Sequence, residues 1–239
     1  MPGTNLTRVE ARERAAVVSD AAYDVALDLT LEGERFGSVT TLRFAAEPGS
    51  STFVDLVDGE LTSVTLNDNE LGVSGTCLYS TTGEGLHRFV DPADDRGYLY
   101  TQFEVPDARR VFATFEQPDL KAEFTFHVTA PAHWKVVSNS PTPEPESLDE
   151  GRAVWHFAPT KKMSTYITAL VAGDYHEVRD SYSGEYGEIP LGVFCRQSLV
   201  PYLDEDDIFL VTKQGFEFFE GAFQMGYPFG KYDQLFVPE

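Results

Sequence analysis

The sequence predicts a mainly β protein: an antiparallel β-sandwich or a related open saddle of sheets, followed by the first strand and helix of an α/β region. Three observations lead to this prediction. Short runs of alternating apolar and polar residues recur along most of the chain, separated by Gly, Pro, Asp and Asn. Convincing helical periodicity is confined to one segment near the C-terminus. With 239 residues, of which 42% are hydrophobic, the chain can bury a sizeable core.

The N-terminal part of the chain predicts an antiparallel hairpin. Residues 6–18 fit either a short polar helix or a fraying arm. From Tyr23 the pattern changes to a period of two, in which the apolar positions are Val25, Leu27, Leu29 and Leu31. A turn at residues 32–34 and a second alternating run at 36–44 complete the hairpin.

Further alternating runs continue the β pattern as far as residue 178. We predict strands at residues 52–57, 61–66, 86–90, 98–105, 123–129, 134–138, 153–157 and 165–178. No internal repeat is evident. The runs therefore predict one β domain, which ends in the polar stretch 181–188, so that residues 1–187 form the first domain and 188–239 begin a second.

The second predicted domain begins with a strand at residues 191–196 and a helix that starts at Asp204. Asp204 can cap the helix, and the acidic residues up to Asp207 suit the positive end of the helix dipole. Apolar or small residues then recur at helical spacing: Ile208, Val211, Gly215, Phe218, Ala222 and Met225. Gly226 and Pro228 should end the helix.

Composition limits the partners and the compartment. The net charge of −21 argues against a nucleic-acid backbone or an anionic membrane surface as partner, and we expect a soluble monomer. Cys77 and Cys195 are too few for a disulfide framework and predict free buried thiols. The charged N-terminus lacks the apolar core of a signal peptide, so the predicted location is the cytoplasm.

One stretch, residues 98–122, organises the candidate chemistry. On a strand, Leu99 and Phe103 would face one way, and Gln102 and Glu104 the other. The last two side chains would lie about 7 Å apart, at roughly 3.3 Å per residue. They could therefore converge on one small cationic group. The alternative is that both simply face solvent on an edge strand.

Several ordered motifs in this sequence resemble the N-terminal domain of the zinc aminopeptidases of the aminopeptidase N family. The motifs are Thr101-Gln102-Phe103-Glu104, Ala108-Arg109-Arg110, the octapeptide at 115–122, Lys162 to Tyr166 with Gly173-Asp174-Tyr175, and residues 227–233 with Val237-Pro238. The resemblance covers most of the chain. It departs from the commonest family form at Thr114, where many members have Cys, and at Glu116-Gln117, where many have Asp-Glu.

The resemblance implies a fold and a role. The first domain should be a β-saddle, and residues 188–239 should begin a thermolysin-like α/β catalytic domain. The carboxylate of Glu104 should anchor the free α-ammonium of a peptide substrate, with Gln102 assisting. Arg109, Arg110 and Lys121 should be structural. Zinc and the remaining catalytic and C-terminal domains belong to the full-length enzyme, whose zinc motif in this family lies just beyond the equivalent of Glu239. The segment alone should be inactive.

The residues themselves predict no catalytic or metal-binding residue within the segment. A zinc hydrolase needs two imidazoles one helical turn apart, a third ligand and a carboxylate base. His176-Glu177 lacks the second histidine, and His127 and His133 are separated by a Pro-containing turn. No Gly-x-Ser-x-Gly motif occurs, and the two cysteines have no suitable partner spacing.

Three functional hypotheses remain open at this stage. The first is the N-terminal part of a monomeric zinc aminopeptidase, cut in mid-domain after Val237-Pro238. The second is a free-standing β-sandwich binding module without catalysis. The third keeps the fold but hydrolyses an epoxide, as one branch of the family does. The preferred N-terminal residue of the substrate, the physiological substrate and the oligomeric state are not specified by the sequence.

Overall fold

The computed structural model describes residues 5–238 and divides into two compact units. The first comprises Met1–Arg88 and Leu99–Ala172, and the second comprises Phe89–Tyr98 and Gly173–Glu239. The predicted boundary at 187/188 falls at the start of the second strand of a hairpin, just after its turn, and both strands of that hairpin belong to the second unit. As a division between family domains, that boundary remains a prediction.

The described residues are mainly β, as predicted. The helices are α1 (Arg8–Val17) and α2 (Glu205–Phe223). The strands are β1 (Val18–Asp28), β2 (Arg35–Ala46), β3 (Glu60–Asn67), β4 (Glu70–Leu78), β5 (Gly85–Val90), β6 (Gly97–Gln102), β7 (Glu123–Pro131), β8 (Lys135–Ser138), β9 (Glu146–Ser147), β10 (Arg152–His156), β11 (Leu170–Gly173), β12 (Tyr175–Gly184), β13 (Gly187–Arg196) and β14 (Tyr232–Leu235).

Three sheets organise these strands. A seven-stranded sheet has the order β3-β4-β2-β1-β7-β10-β9, and a four-stranded sheet has the order β5-β6-β11-β8. The predicted hairpin is present, with Tyr23 opposite Leu42 in an antiparallel β1–β2 pair. The sheets are not wholly antiparallel, however, because β1 pairs with β7 and β13 with β14 in parallel.

Besides the strand predicted at 98–105, which ends early, two predicted strands are wrong in part or in whole. Residues 52–57 form no strand, and only an isolated bridge joins Asp55 to Thr114. The segment is instead tied by side chains, since the Asp55 carboxylate lies 3.5 Å from the buried Arg14 guanidinium. The strand predicted at 165–178 begins instead with a 3₁₀ turn at Thr165–Ile167. The Thr168 hydroxyl donates to the Thr165 carbonyl, and this local hydrogen bond stabilises the turn in place of an extended strand.

The N-terminal segment is a helix rather than a fraying arm. Thr7 caps α1, and its hydroxyl accepts the Glu10 N–H at 3.3 Å. The Glu10 carboxylate in turn accepts the Thr7 N–H at 2.8 Å, which completes a capping box. Arg14 on this helix is only 2% exposed, and its guanidinium lies 4.0 Å from the ring centroid of Phe53. Buried cation–π and ionic contacts therefore dock the helix.

The core of the first unit is aromatic. Tyr23 stacks on Phe124 with ring centroids 4.8 Å apart, and Phe112 meets Phe103, Phe124 and Phe126 edge-on. Edge-to-face and offset contacts of this kind add to the free energy gained by burying the rings. Cys77 lies in this unit as a free buried thiol, and Cys195 is a free buried thiol of the second unit, as predicted.

The second unit joins a β-hairpin to a long helix. Asp204 caps α2 as predicted, and the helix ends at Phe223, three residues before Gly226, with its C-cap residue Gln224 in the left-handed conformation. One face of α2 packs on the hairpin through Phe209 and Phe216, and Tyr182 on β12 donates to the buried Glu220 carboxylate at 3.0 Å. Large apolar side chains elsewhere on the helix are exposed: Leu210, Val211, Phe218, Phe219 and Phe223.

Candidate functional site

The predicted site residues Gln102 and Glu104 lie where β6 ends. Their neighbours Leu99 and Phe103 are 1% and 2% exposed, whereas Gln102 and Glu104 are both exposed. The predicted alternation of buried and exposed side chains is therefore present. The edge-strand part of the alternative is wrong, because β6 lies between β5 and β11, but both side chains do face solvent.

The strand is shorter than predicted, and this changes the local geometry. It stops at Gln102, and the chain turns over residues 104–107, where the Asp107 N–H donates to the Phe103 carbonyl at 3.3 Å. The Gln102 side-chain oxygen lies 3.5 Å from the Glu104 backbone nitrogen. The two side chains thus belong to one strand end and its turn. Within residues 5–238, no basic side chain forms an ion pair with Glu104.

Arg110, the second member of the arginine pair that follows, lies among acidic side chains. Arg110 contacts three carboxylates, with nitrogen–oxygen distances of 2.7 Å to Asp107, 3.2 Å to Glu84 and 3.2 Å to Asp58. These carboxylates raise the pKa of the Arg110 guanidinium, chiefly through its hydrogen bond to Asp107. Because all three anions surround one cation, Arg110 ties two loops to the turn after β6.

Glu116 lies behind this turn and is nearly enclosed. It is 4% exposed, and its carboxylate accepts the Arg109 backbone N–H at 2.8 Å. Burial raises the pKa of Glu116 to about 7, and the hydrogen bond from Arg109 opposes that rise. The acidic residue of the Phe-Glu-Gln-Pro motif is therefore a titratable support for the segment that carries Arg109.

The rest of the motif is also structural. The Gln117 amide donates to the Ala11 carbonyl at 2.9 Å and so connects the motif to α1. Lys121 donates to the Ser164 hydroxyl, which donates in turn to the Pro118 carbonyl at 2.7 Å. These bonds hold the loop between β6 and β7, and none of these side chains is left with an obvious chemical task.

The described residues contain neither a cluster of metal ligands nor a membrane-spanning helix. In the part of the chain that the structure describes, no group of three or more His, Cys, Asp or Glu side chains could hold a metal ion. These residues do not fit a catalytic zinc site, and no catalytic step through zinc is derived from them. None of the described helices has both the length and the apolar composition needed to cross a bilayer.

Comparison with known proteins identifies the family. The model of the peptidase M1 N-terminal domain matches residues 70–167, a range that includes Gln102, Glu104 and Glu116. Aminopeptidase N of Streptomyces lividans is 53% identical over 265 aligned positions, which cover 100% of this chain and 30% of that protein. The chain belongs to the aminopeptidase N family. Its fold is that of the mainly β N-terminal portion of such a protein.

Two more distant relatives are also named aminopeptidases, and both are longer than this chain. Aminopeptidase N of Acetobacter pasteurianus is 32% identical over 69% of this chain and 45% of its own length. Glutamyl aminopeptidase of Sus scrofa is 29% identical over 70% of this chain and 18% of its own length. The chain thus spans less than half the length of the curated relatives named here.

The sequence singled out Gln102 and Glu104 but did not indicate two other features of the first unit. The burial of Glu116 depends on loops that close over it, and no local signal reveals that closure. The paired rings of His127 and His156 depend on strand register, since 29 residues separate them in sequence. The available signal was one histidine at an outward-facing position on each of two strands. The spacing rules for metal ligands concern single helices and short turns, so they do not detect such a pair.

Proposed function

We propose that this chain is the N-terminal portion of a zinc-dependent aminopeptidase that removes N-terminal residues from peptides. In this proposal, Glu104 binds the substrate α-ammonium and Gln102 accepts a second hydrogen bond from it. Zinc, the proton-accepting carboxylate and most of the substrate pocket would come from a catalytic domain beyond the residues described here. The segment alone would be inactive.

The observation that carries the proposal is the exposed Glu104 carboxylate, with which no basic side chain pairs within residues 5–238. It lies at a strand end fixed by buried Leu99 and Phe103, and the side-chain oxygen of the exposed Gln102 is 3.5 Å from the Glu104 backbone nitrogen. A free α-ammonium has three N–H donors and one positive charge. It therefore matches a carboxylate and a neutral acceptor held close together. The names of the relatives support the same reading, since each is called an aminopeptidase.

The test compares two substitutions in the full-length protein by steady-state kinetics. Glu104→Gln keeps the shape but removes the charge, and should lower kcat/KM for a free-amine substrate about tenfold to a hundredfold, as expected for loss of about 1.5 to 3 kcal/mol. Gln102→Ala removes a neutral acceptor and should lower it by about tenfold or less.

The control is the matched N-acetylated substrate, which carries no ammonium. Its slow hydrolysis should lose no comparable factor in the Glu104→Gln enzyme. Equal losses on both substrates would mean that Glu104 supports structure rather than binding. If the full-length protein hydrolysed neither substrate before mutation, the aminopeptidase proposal itself would fail, and the alternative of a non-catalytic β-sandwich binding module would replace it.

The exposed face of α2 supports the larger assembly in this proposal. Val211, Phe219 and Phe223 line a groove of about 500 Å³ within the second unit. An isolated surface of this kind is unfavourable in water, and we infer that further residues of the same polypeptide cover it. A monomeric state and a cytoplasmic location are part of the proposal. Gel filtration and cell fractionation of the full-length protein would test them.

A further inference from the structure

Four titratable side chains form a row on the outward face of the seven-stranded sheet. They come from adjacent strands: Asp24 on β1, His127 on β7, His156 on β10 and Glu146 on β9. The register places His127 directly opposite His156. Their neighbours Phe126, Val128 and Trp155 point into the core, so the two imidazoles must face outward.

The distances give this row a definite order. His127 Nδ1 lies 2.7 Å from His156 Nδ1. The other ring nitrogen of His127 lies 3.3 Å from Asp24 Oδ2, and that of His156 lies 3.7 Å from Glu146 Oε2. A carboxylate only accepts hydrogen bonds, so Asp24 favours the His127 tautomer in which Nε2 carries the hydrogen. The Nδ1 atom of His127 then presents a lone pair to His156, whose Nδ1–H can donate to it.

A separation of 2.7 Å fits one hydrogen between the two Nδ1 atoms. A metal ion can take the place of that hydrogen when both Nδ1 atoms present lone pairs. Zinc–nitrogen bonds of about 2.0–2.1 Å put two ligand nitrogens about 2.9 Å apart at a right angle and about 3.3 Å apart in a tetrahedron. The side chains of His127 and His156 are 28% and 52% exposed, so a small ring movement can open the gap.

We propose that His127 and His156 bind a divalent transition-metal ion, such as Zn²⁺, through their Nδ1 atoms. Water completes the coordination, and the hydrogen between the two rings moves to Nε2 of His156, the nitrogen nearer Glu146. Asp24 accepts a hydrogen bond from His127 and Glu146 lies 3.7 Å from His156, so each ligand ring has a carboxylate on its outer side, which is the usual arrangement for metal-binding histidines. The site has two protein ligands, and it therefore lies outside the groups of three or more that the described residues do not contain.

Charge and geometry both favour a cation at this place. The chain carries a net charge of −21, which raises the local concentration of cations, and the row itself ends in a carboxylate on each side. Imidazole ligands select zinc, copper or nickel over magnesium or calcium, which prefer oxygen ligands. Binding should therefore be selective for Zn²⁺ over Mg²⁺.

The experiment titrates Zn²⁺ into the untagged 239-residue chain and follows the histidine ring resonances by NMR, with calorimetry for affinity. The His127 and His156 resonances should shift together and saturate at one equivalent, while those of His133 stay unchanged. This readout uses the unmodified protein and does not depend on any variant folding. Excess Mg²⁺ should produce no such shift.

Substitutions then test each ligand. His127→Gln and His156→Gln should each weaken Zn²⁺ binding by more than tenfold, and Asp24→Asn should weaken it by roughly tenfold, as outer-shell changes do. The matched control is His133→Gln, an exposed histidine outside the row, which should bind as the unmodified chain does. Unchanged affinity in His156→Gln, or ring resonances of the pair that do not respond to Zn²⁺, would overturn the proposal and leave only a hydrogen bond between the two rings.

Discussion

The buried carboxylate of Glu116 should make the stability of this protein fall as the pH rises. Its pKa is raised from 4.5 to about 7 by burial. In the unfolded chain the same group releases its proton near the ordinary value. Between these two values the folded state holds a proton that the unfolded state does not, so raising the pH favours unfolding. The contribution is fully present below about pH 4.5 and is lost by about pH 7.

The perturbation is Glu116→Gln, which is neutral at every pH and keeps an oxygen that can accept the Arg109 N–H. A pKa difference of about 2.5 pH units corresponds to about 3 kcal/mol, at about 1.36 kcal/mol per unit. Because the group is only 4% exposed, solvent screening reduces this little. Relative to the unmodified protein, the variant should therefore gain about 2 to 3 kcal/mol of unfolding free energy between pH 4.5 and pH 8.

The assay is urea unfolding of both proteins at several pH values, with the difference in unfolding free energy plotted against pH. Other titrating groups contribute equally to both proteins and cancel in that difference. A difference in unfolding free energy that is the same at every pH reports how well the glutamine amide at position 116 packs in place of the carboxyl group. A difference that changes with pH reports the proton that the folded state holds on Glu116. Glu123→Gln, at an exposed position on β7, is the matched control and should give a flat line. A flat line for Glu116→Gln as well would refute the reasoning.

Two further predictions follow from the termini of the chain. Thr7→Ala removes the hydroxyl of the capping box and should lower the unfolding free energy by about 1 kcal/mol, measured by thermal or urea unfolding. An unchanged midpoint would mean that the contacts of Arg14 and the hydrogen bond from Gln117 hold α1 without the cap. In hydrogen exchange, the amides of Phe218 and Phe219, beside the exposed face of α2, should exchange faster than those of Leu27 and Leu29 in the buried β1 region. Equal protection would contradict the inference that α2 lacks its normal cover.

The match between the predicted and observed β1–β2 hairpin has a simple cause. A strand with one buried face alternates between apolar and polar residues. The sequence pattern therefore predicts that the side chains of Val25, Leu27 and Phe36 point into the core, as they do. The same holds for α2, whose cap at Asp204 is a local hydrogen bond to the Asp207 N–H. Strand predictions failed where contacts with residues distant in sequence determined the backbone conformation, as at residues 52–57, where Arg14 binds Asp55.

The candidate site divides in the same way. Alternation predicted that Gln102 and Glu104 share an exposed face, but the end of β6 and the position of that strand inside its sheet came only from pairing with β5 and β11. That Gln102 and Glu104 bind an ammonium is our proposal, which the family resemblance supports and the kinetic comparison would test. The raised pKa of Glu116 depends on desolvation by loops distant in sequence, which no local pattern encodes.

By itself, the sequence determined the β class, the capped helix at Asp204, the free thiols and the family, because periodicity, capping and ordered motifs are local properties of the chain. Only the tertiary structure decided that β1 pairs in parallel with β7 and that His127 meets His156 across two strands. The physical reason is register: strands bring together residues that are distant in sequence, and one residue of slip would turn every outward side chain inward.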